Sequence, residues 1–262
     1  MNTPIWQVDA FTTEPFRGNP AAVCVLTEPR PVPWMQQVAL EMNLSETAFV
    51  IHRGEDLLLR WFTPACEVRL CGHATLASAH VLWSEGMVDP SRTIEFRTIH
   101  SGVLGAKRRR EAIELDFPAR PPEKIPPPAG LAEALGLEPV LVARGGRDVL
   151  VLAEDEAQVK SLRPDFSLLR RVEARGVIVT APAAEVDFVS RFFAPAVGID
   201  EDPVTGSAHC CLCPFWAGRL GKSTMVGHQA SARGGIVAVR LSGDRVKLAG
   251  PAVTTLRGEL LV

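Results

Sequence analysis

The sequence predicts an α+β protein of two similar domains, each a curved, barrel-like sheet around a central helix. Three observations predict it. One motif block recurs at about half the chain length. Short stretches rich in Val, Ile and Phe follow one another closely. Each half also holds one helix-like segment without a polar face.

The repeat comes first. Residues 60–65 read RWFTPA and residues 191–196 read RFFAPA, an offset of 131. At the same offset Val68 meets Ile199 and Ala77 meets Ala208. Further on, 102–119 and 235–252 align at an offset of 133. There Gly102 meets Gly235, Ile113 meets Val246, Leu115 meets Leu248, and Pro118-Ala119 meets Pro251-Ala252. Two blocks in the same order point to a duplication, and the period is far longer than a solenoid repeat. The expected domains are 1–118 and 131–253, with the last strand, 254–262, crossing back to the first. The proline-rich stretch 118–130 is the expected linker, because its prolines bar helix and central strand.

Strands are expected at 4–11, 21–26, 47–52, 57–63, 93–99, 102–107 and 111–117 in the first half. In the second they fall at 139–143, 148–153, 176–180, 187–193, 235–241, 245–249 and 256–261. Residues 33–42 form a surface helix with Trp34, Val38 and Met42 on one face. Strands follow strands too closely for a regular βαβ alternation, hence α+β.

Residues 73–85 and 206–217 are small or apolar on nearly every face, so each must be buried all round. A sheet curved about the helix achieves this. Gly72-His73 opens the first helix. For the second, either Asp202 caps with Pro203 at the first helical position, or the helix starts a turn later. Helix starts expose unpaired N–H groups and a partial positive charge. Two such starts at one cleft would bind an anion.

Composition excludes several classes. The chain has 262 residues, a net charge of -2 and scattered basic residues. The run Lys107–Arg110 lies between two strands and reads as a hairpin turn, so no nucleic-acid partner is expected. No apolar run approaches a membrane span and the N-terminus reads as a strand, which makes cytoplasm the expected location. The six cysteines are expected as free thiols.

Four stretches, residues 8–26, 41–50, 60–82 and 198–210, together resemble the phenazine-biosynthesis (PhzF-like) isomerase family, and more distantly diaminopimelate epimerase. Their order and spacing cover essentially the whole chain. The resemblance implies two domains with the active site in the cleft between them, a homodimer, and no metal or organic cofactor. It implies isomerisation of a dihydro-hydroxyanthranilate by proton transfer between two carbons. The glutamate of the N-L-S-E-T context is Glu46, the histidine of G-H-x-T is His73, and the aspartate of D-P-x-T-G-S is Asp202. Gly72, Gly206 and Ser207 complete the match around the substrate, and Cys71, beside Gly72, reads as a small residue lining the pocket.

The residues suit those roles. A carboxylate that takes and returns a carbon-bound proton needs a raised pKa and a dry site. Glu46 sits at a helix-to-strand junction beside Leu44, Ala48 and Phe49. Taken alone, Glu46 fits a surface cap, His73 a helix-start histidine and Asp202 a plain N-cap; the family frame turns each towards the substrate. Asn19-Pro20 reads as a structural turn beside the cleft.

Two neighbouring chemistries fare worse. A two-thiol epimerase needs a mirrored cysteine pair. Cys71 has Asp202 or Pro203 opposite it in the repeat, neither a thiol. Zinc favours paired short spacings, and Cys210–Cys213 has no matching second pair. The expected activity is therefore a cofactor-independent isomerase acting on a small carboxylate. An amino-acid epimerase or racemase on the same fold is the alternative enzyme. A binding protein that has lost the chemistry is the non-enzyme alternative.

Overall fold

The computed structural model describes residues 2–262. It is a mixed, sheet-rich α/β fold that divides into two compact units, Met1–Phe117 with Ala249–Val262, and Pro118–Leu248.

The first unit begins with β1 (Thr3–Ala10) and β2 (Asn19–Leu26), then α1 (Val32–Met42), β3 (Glu46–Arg53), β4 (Asp56–Phe62) and the short β5 (Glu67–Val68). Next come α2 (Gly72–Ser84), β6 (Ile94–Thr98), β7 (Val103–Arg109) and β8 (Ala112–Pro118). Neighbouring strands pair antiparallel for β1–β2, parallel for β2–β3, antiparallel for β3–β4, parallel for β4–β6 and antiparallel for β6–β7 and β7–β8. Each parallel pair is bridged by a helix, since parallel neighbours need a crossover that a tight turn cannot supply. The regular βαβ alternation is absent, as expected, but crossovers and hairpins take turns. Residues 107–110 lead into the β7–β8 hairpin, where Arg109 pairs with Ala112 and Arg110 has φ 57°.

Both faces of this sheet are covered, so its strands read as near-continuous apolar runs. Ala22, Cys24 and Leu26 of β2 face Met35, Val38 and Ala39 of α1. The alternate face meets α2, which packs on β1, β2 and β3. Ala74, Leu76, Ala77, Ala79, Val81 and Leu82 of that helix are all buried. Its hydroxyls are satisfied inside the helix: Thr75 Oγ1 donates to the Cys71 carbonyl at 2.6 Å and Ser78 Oγ to the Ala74 carbonyl at 2.7 Å.

The second unit holds β9 (Glu123–Lys124), α3 (Leu131–Leu135), β10 (Leu141–Gly145), β11 (Asp148–Leu152), α4 (Glu156–Ser161), α5 (Phe166–Leu169), β12 (Gly176–Pro182) and β13 (Phe188–Phe193). After a 3₁₀ turn come α6 (Gly206–Leu220), β14 (Thr224–Gln229), β15 (Gly235–Ser242) and β16 (Arg245–Gly250). Its pairings run antiparallel for β10–β11, parallel for β11–β12, antiparallel for β12–β13, parallel for β13–β14 and antiparallel for β14–β15. One face packs on α3, α4 and α5 through Leu131, Leu135, Val159 and Leu169. On the other, Phe188 stacks on Trp216 of α6, ring centroids 5.9 Å apart. The final strand, β17 (Ala252–Leu260), pairs antiparallel with β1 from Thr3–Leu260 to Ala10–Ala252.

Two expectations change and one open alternative closes. Strand β14 has no counterpart in the sequence reading. The linker is not wholly extended coil, because β9 pairs with Ala143 and Arg144 of β10. The second central helix starts at Gly206 with Thr205 in the N-cap position, so the later of its two expected starts is the observed one. It also runs on through Pro214 to Leu220. Pro214 brings no N–H, which leaves the Cys210 carbonyl one turn earlier without its helical donor. The Arg120 N–H from the linker fills that place at 2.9 Å.

Candidate active site

The first cluster is assembled from β2, β3 and the start of α2. Asn19 is the first residue of β2 and pairs with Ala10 of β1. The turn before it depends on Gly18, which has φ +62° and whose missing Cβ would fall 2.1 Å from the Ala10 carbonyl oxygen. Only glycine fits there. The same loop is pinned by the buried Asp9, whose Oδ2 accepts the Phe16 N–H at 2.7 Å. Asn19 therefore opens a strand rather than sitting in a plain turn.

Glu46 is the first residue of β3 and pairs with Ala21. Its side chain is 14% exposed, against 5% for His73. The His73 Nε2 lies 3.2 Å from the Glu46 Oε2. The other ring nitrogen, Nδ1, lies 3.1 Å from the Asn19 Nδ2. The Asn19 amide thus holds the Nδ1 edge of the ring, and Nε2 faces the carboxylate. Ser45 Oγ donates to the Asn19 Oδ1 at 3.4 Å.

Cys71 completes the group, with Sγ 3.5 Å from the His73 Nδ1. Burial, reinforced by the Glu46 charge, pushes its thiol up to about 11, so it is protonated at neutral pH. For His73, burial opposes the charged form, but its contacts with Cys71 and Glu46 outweigh burial and hold its pKa well above the usual histidine range. With the thiol protonated, Glu46 is the partner that matters. Carboxylate, thiol and imidazole ligand atoms lie within 4.8 Å of one another, three donor types that zinc accepts. The contact between carboxylate and imidazole also gives this cluster the means to pass a proton. Gly72 opens α2 beside it.

The second cluster lies in the second unit at the start of α6. Asp202 is 9% exposed, and its Oδ2 accepts the Thr205 hydroxyl at 2.5 Å. Gly206 is the first helical residue. Ser207 Oγ accepts from the Arg175 guanidinium at 3.0 Å. Arg175 also makes a two-point ion pair with the buried Asp148 and lies over the Phe192 ring. Hydrogen bonds and charge from Asp148, with Asp202 nearby, overcome burial and raise the guanidinium pKa further. One turn on, His209 Nδ1 meets the Thr205 carbonyl at 2.8 Å, and burial pulls this ring down to about 4.

Asn19, Thr205, Arg175, Asp148 and Gln229, whose amide bonds the Thr205 N–H and the Asp202 carbonyl, hold these clusters in place and were not among the expected site residues. Thr205 lies within the D-P-x-T-G-S motif and Asn19 within G-N-P, which are usable local signals. Arg175, Asp148 and Gln229 meet their partners only through the fold.

The family model for phenazine biosynthesis-like proteins matches residues 8–258. The chain belongs to that family. A Halalkalibacterium halodurans family relative named as an uncharacterized isomerase is 52% identical, over 100% of each chain. The crystal structure of a PhzF-family phenazine biosynthesis protein from Enterococcus faecalis superposes with a TM-score of 0.96 at 44% identity, again over 100% of each chain. A hydroxyproline epimerase from Agrobacterium vitis shares the fold alone, with a TM-score of 0.67 at 12% identity, covering 99% of this chain and 92% of that one. Among the described residues, no helix is long and apolar enough to cross a membrane.

Proposed function

We propose that the chain is an isomerase that moves a proton between carbons of a small carboxylate substrate, with Glu46 as the acid/base. The observation that carries this is the Glu46 Oε2 to His73 Nε2 contact of 3.2 Å, with the other edge of the ring held by Asn19. A carboxylate beside a proton-bearing nitrogen, mostly out of water, is equipped to accept and return one proton. Membership of the phenazine biosynthesis-like family and the isomerase name of a 52% identical relative support the same reaction class.

In this reading His73 and Asp202 orient the substrate and assist its polar groups, while Gly72, Gly206, Ser207 and Cys71 contact it. The protein works without metal or organic cofactor, as a cytoplasmic homodimer. The thiol pKa of about 11 weighs against Cys71 as an epimerase base.

The two units are read as products of one duplication, each a sheet curved around its central helix, 1–118 with 254–262 and 131–253. The identical alternation of antiparallel and parallel pairings supports this. So does a matched ion pair. Arg60 grips Glu67 through two bonds of 2.7 Å, and Arg191, its counterpart at the 131-residue offset, grips Glu201 at 2.7 and 2.9 Å.

The test is incubation in D₂O with a dihydro-hydroxyanthranilate and a panel of amino-acid carboxylates. Enzyme-dependent deuterium at carbon in recovered substrate or product is the expected result. Binding without exchange for every compound would make the chain a binder.

A further inference from the structure

We propose that Gln229 is a positioning residue that holds Asp202 in its working orientation, an inference that rests on the substrate role proposed for Asp202. Gln229 ends β14 and is 0% exposed. Its amide spans the turn that carries Asp202. Oε1 accepts the Thr205 N–H at 2.8 Å. Nε2 donates to the Asp202 carbonyl at 2.7 Å and to the Thr205 hydroxyl at 3.1 Å.

These bonds have one direction. The amide nitrogen only donates, so the Thr205 hydroxyl accepts from it and sends its own proton to the Asp202 Oδ2 at 2.5 Å. Gln229 thereby sets both the backbone of Asp202 and, through Thr205, the orientation of its carboxylate. The rest of the turn is tied down in the same way. The Asp202 N–H donates to the Phe192 carbonyl at 3.1 Å, and Ser231 Oγ donates to the Pro203 carbonyl at 2.9 Å.

The strand itself does not call for glutamine. Met225, on the same buried face of β14, is apolar. At the 131-residue offset the first unit carries Thr98, whose hydroxyl serves its own hairpin, donating to the Gly102 carbonyl at 2.9 Å and accepting the Ser101 N–H at 2.8 Å. A buried polar side chain is costly unless every group finds a partner. Here all the partners belong to the Asp202 turn.

Two variants separate positioning from mere packing. Gln229→Leu removes every bond. Gln229→Glu keeps the shape. Its protonated form retains one acceptor and one donor, while its ionised form loses the donor and sets a second negative charge near Asp202. With a dihydro-hydroxyanthranilate as probe, both variants should lose turnover near pH 8, on the order of 10²-fold for a misplaced substrate-orienting group. Gln229→Glu should regain activity as pH falls through the carboxylic-acid range, whereas Gln229→Leu should not. Amide exchange at Thr205, followed by NMR, should quicken in Gln229→Leu. Wild-type kinetics in both variants, or losses that track thermal stability with no acid recovery in Gln229→Glu, overturn the proposal. If the wild-type protein turns over no probe, the isomerase reading fails on its own. The exchange experiment then decides the clamp: unchanged Thr205 exchange in Gln229→Leu overturns it, and quickening confined to the 202–206 turn upholds it.

Discussion

The Glu46 carboxylate meets the His73 imidazole at 3.2 Å on its Nε2 edge, while Asn19 holds the Nδ1 edge. The ring cannot turn over without breaking one of these bonds. The carboxylate therefore keeps a donor at a fixed place while it receives or releases a substrate proton.

Glu46→Gln should bind ligand nearly normally and lose turnover by roughly 10²–10⁴-fold, the usual worth of a general acid/base. Solvent deuterium should no longer enter the substrate. A fully active variant would move the base elsewhere.

Cys71→Ala should keep substantial activity, because burial and the Glu46 charge hold the thiol up to about 11. Iodoacetamide at pH 7.5 should label the exposed Cys66 well before Cys71. Rapid Cys71 labelling with matching loss of turnover would favour thiol chemistry.

Gly18→Ala should lower stability by roughly 1–3 kcal/mol, the range for a strained backbone site, and should lower turnover through Asn19. Gly54→Ala is the control. That residue has φ +60°, yet a Cβ there would meet nothing within 4 Å. Equal effects of the two changes on turnover would show that the Gly18 contact with Ala10 is not what places Asn19.

His209 supplies a pH dependence. Burial lowers its pKa from 6.5 to about 4 in the folded chain. Between those values the unfolded chain takes up a proton that the native chain refuses. Its contribution is thus complete above pH 6.5 and is lost as pH falls through about 4. Urea unfolding at pH 7 and 4.5 should show His209→Gln losing less stability on acidification than wild type, by on the order of 2 kcal/mol. An equal loss in both proteins would show that the ring is protonated in the native state.

Much of this fold was legible because both sheet faces are covered, which makes strands such as 47–52 continuous apolar runs. The two central helices were legible for a related reason, having no polar face. Strand β14 was not. Its inward residues are Met225, Gly227 and Gln229, so only one carries an apolar side chain. Gly227 is small because the Phe188 ring occupies the place of its Cβ, 2.4 Å away. Helices α3, α4 and α5 have four to six residues each, too short to show a period. In the candidate site, Glu46 and His73 stood in recognisable motifs. Asn19 looked like a turn because its partner lies 54 residues away. Gln229 lay in the strand that was missed.

The bond from the Arg120 N–H to the Cys210 carbonyl fixes where the second unit can be cut. Excision after residue 120 would leave that carbonyl buried beside Pro214 with no donor, a loss of about 1–3 kcal/mol. The proline-rich stretch looks like a dispensable tether, but its first residues complete the hydrogen bonding of a helix some 90 positions further along the chain. The natural boundary of the second unit is therefore upstream of Arg120, and the stretch beyond it belongs to that unit, where β9 joins the sheet.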